Sequence, residues 1–500
     1  MKKWYYPALA LLLGLFTAQI LATAQVYLSN IELYRTLLPI KDAGYFLIPN
    51  EQTMPRLQAW GPALFGGLFF TLSIGAGLSL LSLAAAWIWD RLVHRNRSFL
   101  ILYSVLWAGS FVLVNYRGFS PIVSLYFLFI PTVVFSTSRR CIRPQGRQGA
   151  WLDRMIHAIP LLLLATLWTS QMDRNLFLNL RDKLLLSNPI GTKINDFYYN
   201  YTPYPTNVFE SLSQRILKAC NLEAIREKPV AGALEKTLLN HDYLNVGRAD
   251  RVDLEIEEVE NNLLFRNKGK TILRTTPRDF LSNPGTVLEK FSAKSDKHAF
   301  FRHFTFFSLL FGFPILLYIF FYTLLRILAG LFFTARPSSA IASILCLLVG
   351  TAFLFILSFG EAKTIEVKDL GEALNADRWQ KRVEALKVIE RKKMDIADFT
   401  GYQSLLRSPH IQERYWLAKT MGVSRRSETY DALLAILDDP HPNVVRMAFH
   451  SLGRRRDAKA VEEIKKRIEI SDHWYNQRHA YRALRTLGWK QSKKSHHSKK

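Results

Sequence analysis

The sequence predicts a multi-pass α-helical membrane protein with an α+β extracytoplasmic domain and a C-terminal α-solenoid. Three features predict it. Seven apolar runs are long enough for membrane helices, two long polar stretches lie among and after them, and Arg382, Arg414, Arg446 and Arg478 recur every 32 residues. Of the 500 residues, 49% are hydrophobic. A disordered chain lacks that apolar content, and a simple soluble enzyme does not gather it into such runs.

The runs are Trp4–Thr23, Pro62–Trp89, Phe99–Val114, Pro121–Phe135, Met155–Thr169, Phe304–Leu325 and Ala340–Gly360. Pro314 falls inside the sixth and predicts a kink, because proline removes a backbone donor. The first run has two readings. Lys2-Lys3, an apolar stretch and Ala22-Thr23-Ala24 have the form of a signal peptide cleaved before Gln25, and the same residues suit a retained anchor. Gly75, Ala76, Gly77 and Ser79 offer a small-residue face for helix packing. Outside the polar stretches there are sixteen basic residues. With the N-terminus inside, twelve lie on the cytoplasmic side (Lys2, Lys3, Arg91, Arg95, Arg97, Arg139, Arg140, Arg143, Arg147, Arg154, Arg326 and Arg336) and four outside (Arg35, Lys41, Arg56 and Arg117). This predicts a bacterial inner-membrane protein whose 171–303 and C-terminal regions are periplasmic.

The resulting domains are a signal-like segment 1–24, a four-span bundle 25–170, the α+β domain 171–303, two spans in 304–360, the repeats 361–490 and a basic disordered tail 491–500. Residues 171–303 carry 20 basic and 17 acidic residues, a balance that suits a folded domain. Val208, Leu212, Ile216, Leu217 and Cys220 have helical spacing, which predicts a helix over 208–222. Val252–Val259 alternates like a half-buried strand, and Asn267-Lys268-Gly269 reads as a hairpin turn, which predicts a small antiparallel sheet. The aromatic segment Phe197, Tyr198, Tyr199, Tyr201 and Tyr204 suits packing on the bundle, a place at lipid headgroup level, or a contact with sugars or peptides.

In the C-terminal region each recurring arginine opens an amphipathic stretch, and Tyr430–Leu437 and Ala458–Ile468 supply earlier partner helices. The segment Leu437-Asp-Asp-Pro-His-Pro-Asn-Val-Val-Arg446, with Ser451-Leu-Gly453 and Arg456-Asp-Ala-Lys-Ala-Val461, resembles HEAT-like repeats of the phycobilisome-lyase type. The resemblance covers about a quarter of the chain and is weaker in the first two repeats, which lack the Leu-Gly close. It implies stacked helix pairs and a surface for protein partners, without implying lyase activity. The candidate partner-binding residues are Arg382, Arg414, Arg446 and Arg478, with Arg454, Arg455 and Arg456. Their simplest role is to bond carbonyls or acids of a neighbouring repeat.

No catalytic motif, metal-ligand spacing or cofactor fingerprint is present, and Cys141, Cys220 and Cys346 lie far apart. Phe265–Thr271 ends like a phosphate loop but lacks its first glycine. The expectation is therefore no catalytic, metal or cofactor site. The expected partners are proteins met through a concave repeat surface, and membrane lipids. Nucleic acid is not expected despite the formal charge of +25. The leading function is an inner-membrane scaffold that recruits envelope partners through its repeats. The alternative is a membrane subunit of a transport or lipid/glycan-handling system, with its site at the bundle and segment 197–204.

Overall fold

The computed structural model describes residues 6–142, 150–173, 175–247, 251–358 and 365–493, with the side chains of 150–157 excepted. Lys2, Lys3, Arg143, Arg147 and residues 494–500 of the expected tail lie outside the described residues, as does the Arg154 side chain.

Among the described residues, seven helices form the apolar bundle: α1 (Tyr6–Asp42), α2 (Trp60–Arg91), α3 (Arg97–Asn115), α4 (Pro121–Cys141), α5 (Ala150–Ser170), α11 (Ala299–Ala329) and α12 (Ala335–Ser358). Six of them are long and apolar enough to cross a membrane, and the described part of α5 adds a shorter apolar helix, Ala158–Ser170. Helix α1 runs unbroken through Ala22-Thr23-Ala24, where the sequence allowed a cleavage, and buries Ala10, Leu11, Ala18, Ala22 and Val26 against α2 and α4.

The small residues set how closely these helices approach. A Cβ on Gly77 would stand 2.1 Å from the Ser308 hydroxyl of α11, so only glycine fits there. The prolines are accommodated by side chains. Pro131 and Pro314 cannot bond the carbonyls four residues earlier, Phe127 and Leu310. Those carbonyls accept instead from the indole nitrogens of Trp107 and Trp168, the latter at 2.8 Å. In α11 a π-turn, Ser308–Gly312, ends two residues before Pro314.

Between α5 and α11 the chain forms a helical shoulder and a sheet domain. The shoulder contains a short helical turn, Leu176–Asn179, with its π-helical continuation Leu180–Leu185, then α6 (Pro189–Tyr201) and α7 (Pro203–Phe209). Five strands follow: β1 (Lys218–Ala224), β2 (Tyr243–Asn245), β3 (Leu254–Val259), β4 (Asn262–Asn267) and β5 (Lys270–Thr275). Helix α8 (Lys228–Leu239) crosses from β1 to β2, and α9 (Pro277–Ser282) and α10 (Pro284–Ser295) complete the domain.

Two expectations are corrected here. The 208–222 helix is instead the end of α7, a turn, and β1. The sheet is mixed rather than antiparallel: its order is β2-β1-β3-β4-β5, with β1 parallel to both neighbours. Pairing on both sides outweighs the local helical spacing around Cys220, whose side chain joins Leu234, Leu254, Phe265 and Phe291 in the core. The β4–β5 turn lies where predicted, at Lys268-Gly269, both with positive φ.

The C-terminal helices are α13 (Trp379–Lys392), α14 (Ile411–Met421), α15 (Ser427–Ile436), α16 (Pro442–Arg455), α17 (Ala460–Ile470) and α18 (Trp474–Thr486). Helices α13, α14, α16 and α18 stack in one row, with α15 and α17 behind the last two. The first two repeats carry short helical turns, Leu370–Leu374 and Tyr402–Arg407, in place of a full partner helix. Gly453 lets α16 close on α18, since a Cβ there would meet the Ala483 backbone at 3.2 Å. The repeat region also extends past residue 490. Gln491, expected in a disordered tail, is buried, and its amide exchanges two hydrogen bonds with the Phe46 backbone.

Candidate partner-binding surface and the docking of the repeats

The recurring arginines lie in the first turns of the stacked helices, and in the first two repeats the guanidinium group reaches the loop before and the acid after. Arg382 bonds the Ala376 and Asp377 carbonyls and the buried Glu413 carboxylate of α14. Arg414 repeats this with the Ser408 carbonyl and both Asp439 oxygens. Arg446 faces Tyr199, Tyr415 and Tyr475. Arg478 reaches Glu210, just beyond α7, at 2.6 Å. The first two therefore join repeats to each other, and the last two join the repeats to the shoulder.

The three consecutive arginines separate by burial. Arg454 pairs with Glu390 at 3.1 Å. Arg455 is buried and donates to the Met421, Ser424 and Arg426 carbonyls and the Thr429 hydroxyl, closing the α14–α15 loop. Arg456 caps α16 in the left-handed conformation and is exposed.

The aromatic segment is likewise divided. Tyr204 is buried against Trp474 of α18, with ring centroids 5.2 Å apart, and Tyr199 packs on Tyr475 at 4.6 Å. Phe197 and Tyr201 turn to Phe65 of α2. Tyr198 is exposed. The segment thus forms a joint between bundle and repeats, and does not line a common pocket.

These contacts belong to a wider internal interface that no sequence motif marks. The loop from Ala43 to Ala59, between α1 and α2, inserts Asn50 under the end of α17. The Asn50 amide nitrogen donates to the Ile468, Glu469 and Ser471 carbonyls, capping orphaned acceptors of that helix. Gln477 accepts from the Asn50 backbone and donates to the Thr53 hydroxyl. In the shoulder, Asp182 accepts from the Trp416 indole at 3.0 Å, and Gln412 bonds its carbonyl. His441 meets Asp196 at 3.1 Å and Asn195 at 3.2 Å. In the sheet domain, Asp242 accepts from the Tyr481 hydroxyl and pairs with Arg485. The stacked row is therefore covered by three separate segments of its own chain.

Burial sets the electrostatics of the joint. Desolvation raises the Glu210 carboxyl above its ordinary value, opposed by Arg478 and then Arg482. Desolvation first, and then Arg446, Arg482, Arg478 and His450, hold the His479 imidazole well below the usual histidine range. Elsewhere, a cleft of about 580 Å3 opens where β1 and β2 end beside α8, lined by Glu223, Lys228, Glu235, Asn245 and Lys493. Lys493 and Glu235 pair across it at 3.3 Å. Among the described residues no group of three or more His, Cys, Asp or Glu side chains could hold a metal ion.

Helix pairs stacked in a row, arginines at a fixed repeat and close glycine contacts between successive helices describe an α-solenoid. In the comparison with protein families, that of HEAT repeats matches residues 402–485. The C-terminal region is a HEAT-like repeat array. The match covers three of the four repeats, those with Arg414, Arg446 and Arg478. None of the curated proteins and none of the solved structures compared matches the chain.

Proposed function

We propose that this protein is an integral scaffold of a bacterial inner membrane. It holds its HEAT array rigidly on the envelope side and presents it to protein partners. The observation that carries the reading is the docking of the array on the loop between α1 and α2. That loop and the HEAT array stand at the same end of the bundle only if an even number of crossings, here six, separates them. The shoulder and sheet domain share that end through Asp182, Asp196, Glu210 and Asp242. Lysine and arginine bias supports assigning this end to the envelope: Arg91, Arg95, Arg97, Arg139, Arg140, Arg326 and Arg336 gather at the other. Retention of the first span supports the same reading, because cleavage before Gln25 would remove the buried Ala10–Ala22 stripe around which the bundle packs.

Because the stacked row is engaged internally, the surface left for a partner is the outer one, α15 and α17 together with the exposed Arg456. HEAT-like arrays serve protein interaction through such extended surfaces. A photo-crosslinking residue at Glu462 of α17, in living cells, tests the proposal. The expected result is a discrete adduct with an envelope protein. Adducts only with cytoplasmic proteins, or none at exposed positions along α15 and α17, would overturn it.

A further inference from the structure

Helix α6 carries two faces with opposite company. Asn195 and Asp196 meet His441, and Tyr199 meets Tyr475, so one face holds the HEAT array. The other presents Ile190, Ile194, Phe197 and Tyr198, which are 74%, 54%, 37% and 48% exposed. At 100° per residue, Ile190, Ile194 and Phe197 share one narrow edge, with Tyr198 on one flank and exposed Lys193 on the other. An apolar edge of this kind on a water-facing helix is unfavourable, and its depth in the structure explains it.

A Cβ on Gly14 of α1 would strike both Ser79 of α2 and Val134 of α4, so these residues share one level. Thirteen residues outward, about 20 Å of helix rise, lie Gly66 in α2 and Pro121 in α4. Pro121 is the first residue of a 21-residue helix, and that length matches a hydrocarbon core of about 30 Å. At this same level a Cβ on Gly66 would stand 3.0 Å from Pro205 of α7. Phe65 packs there on Phe197 and Tyr201, with ring centroids 5.6 and 4.8 Å away. The exposed edge of α6 is thus continuous with the outward surface of α2, where Trp60, Leu64 and Phe65 are also exposed.

We infer that α6 is an interfacial helix, its Ile190, Ile194, Phe197 and Tyr198 edge seated at the acyl boundary of the envelope-side leaflet. The occupant of this surface is therefore lipid. The inference rests on the membrane reading above. It makes α6 a wedge with lipid on one side and the HEAT array on the other, fixing the height of the array over the bilayer. Lys193 is placed to snorkel toward phosphate groups.

The test uses the full chain in nanodiscs of phosphatidylethanolamine and phosphatidylglycerol. A diazirine amino acid is placed singly at Ile194, Ile190, Leu106 of α3 or Glu462 of α17, and lipid adducts are read by mass spectrometry. Adducts at Ile194, Ile190 and Leu106, but not at Glu462, are expected. Adducts at Leu106 alone would overturn the inference and leave the membrane reading standing. Adducts at none of the four would overturn both. Equal adducts at Glu462 and Ile194 would also overturn the inference, because α6 would then have no special depth.

Discussion

Asn50 links the loop between α1 and α2 to a helix more than 400 residues later, so an Asn50→Asp substitution tests the internal docking directly. The substitution keeps the shape and the acceptor that serves the Thr53 backbone at 3.0 Å. It removes the donor to the Ile468, Glu469 and Ser471 carbonyls, which lies at 2.8, 3.1 and 2.8 Å, and turns a carboxylate oxygen toward them. The Ile468 contact is buried, so its carbonyl loses a partner that water cannot replace. The other two are only partly buried and recover some hydration. An unsatisfied buried group costs about 1–3 kcal/mol, and with the weaker losses the total is about 3 kcal/mol. At about 1.4 kcal/mol per tenfold, local opening of α17 and α18 rises roughly a hundredfold. Hydrogen exchange on the full-length protein in detergent reads this as lost protection over residues 464–484, with β3–β5 unchanged. Unchanged protection in 464–484, or an equal loss throughout the chain, would refute the docking.

Further outcomes follow from the same contacts. Gly77→Leu forces its side chain into Ser308 and should lower bundle stability by about 1–3 kcal/mol, seen as a lower thermal midpoint in detergent; Ser308→Gly restores part of it. Glu210→Gln leaves the Arg478 guanidinium buried without its carboxylate, at a cost of about 3 kcal/mol, whereas the paired change to Glu210→Leu and Arg478→Met costs less; chemical denaturation followed by Trp474 exposure compares the two. The pH dependence takes its sign from His479, whose folded pKa lies well below the ordinary 6.5. The unfolded chain binds protons that the folded one refuses, so stability is whole above about pH 6.5 and falls as pH drops below it. The thermal midpoint should fall between pH 7 and pH 5, and fall less in His479→Gln.

The parts of the fold that repeat, or that obey a short-range rule, were legible in the sequence. The 32-residue arginine interval located four stacked helices because each repeat solves the same packing problem. Lys268-Gly269 located a hairpin because that turn needs two positive φ values. What escaped depended on distant partners. Residues 218–224 contain no β-branched side chain and become a strand through pairing with both β2 and β3. Asn50 is one polar residue in a loop, and nothing nearby announces that it caps a helix from the other end of the chain. The candidate arginines were found, yet only the structure distinguishes Arg382 and Arg414, which join repeats, from Arg446 and Arg478, which join the array to the shoulder. The aromatic segment was visible by composition, while its division between Trp474, Tyr475 and Phe65 depended on three-dimensional placement.

The central claim is that the α1–α2 loop and the HEAT array occupy the same side of the membrane, opposite the Arg91–Arg97 turn. Single cysteines at Glu51, Glu462 and Arg95 test it, probed in intact cells with a thiol reagent that cannot cross the inner membrane. The native thiols interfere little, since Cys220 and Cys346 are buried and Cys141 ends α4 on the Arg95 side. The account predicts labelling at Glu51→Cys and Glu462→Cys, and labelling at Arg95→Cys only after the membrane is opened. Opposite behaviour of Glu51→Cys and Glu462→Cys would contradict it.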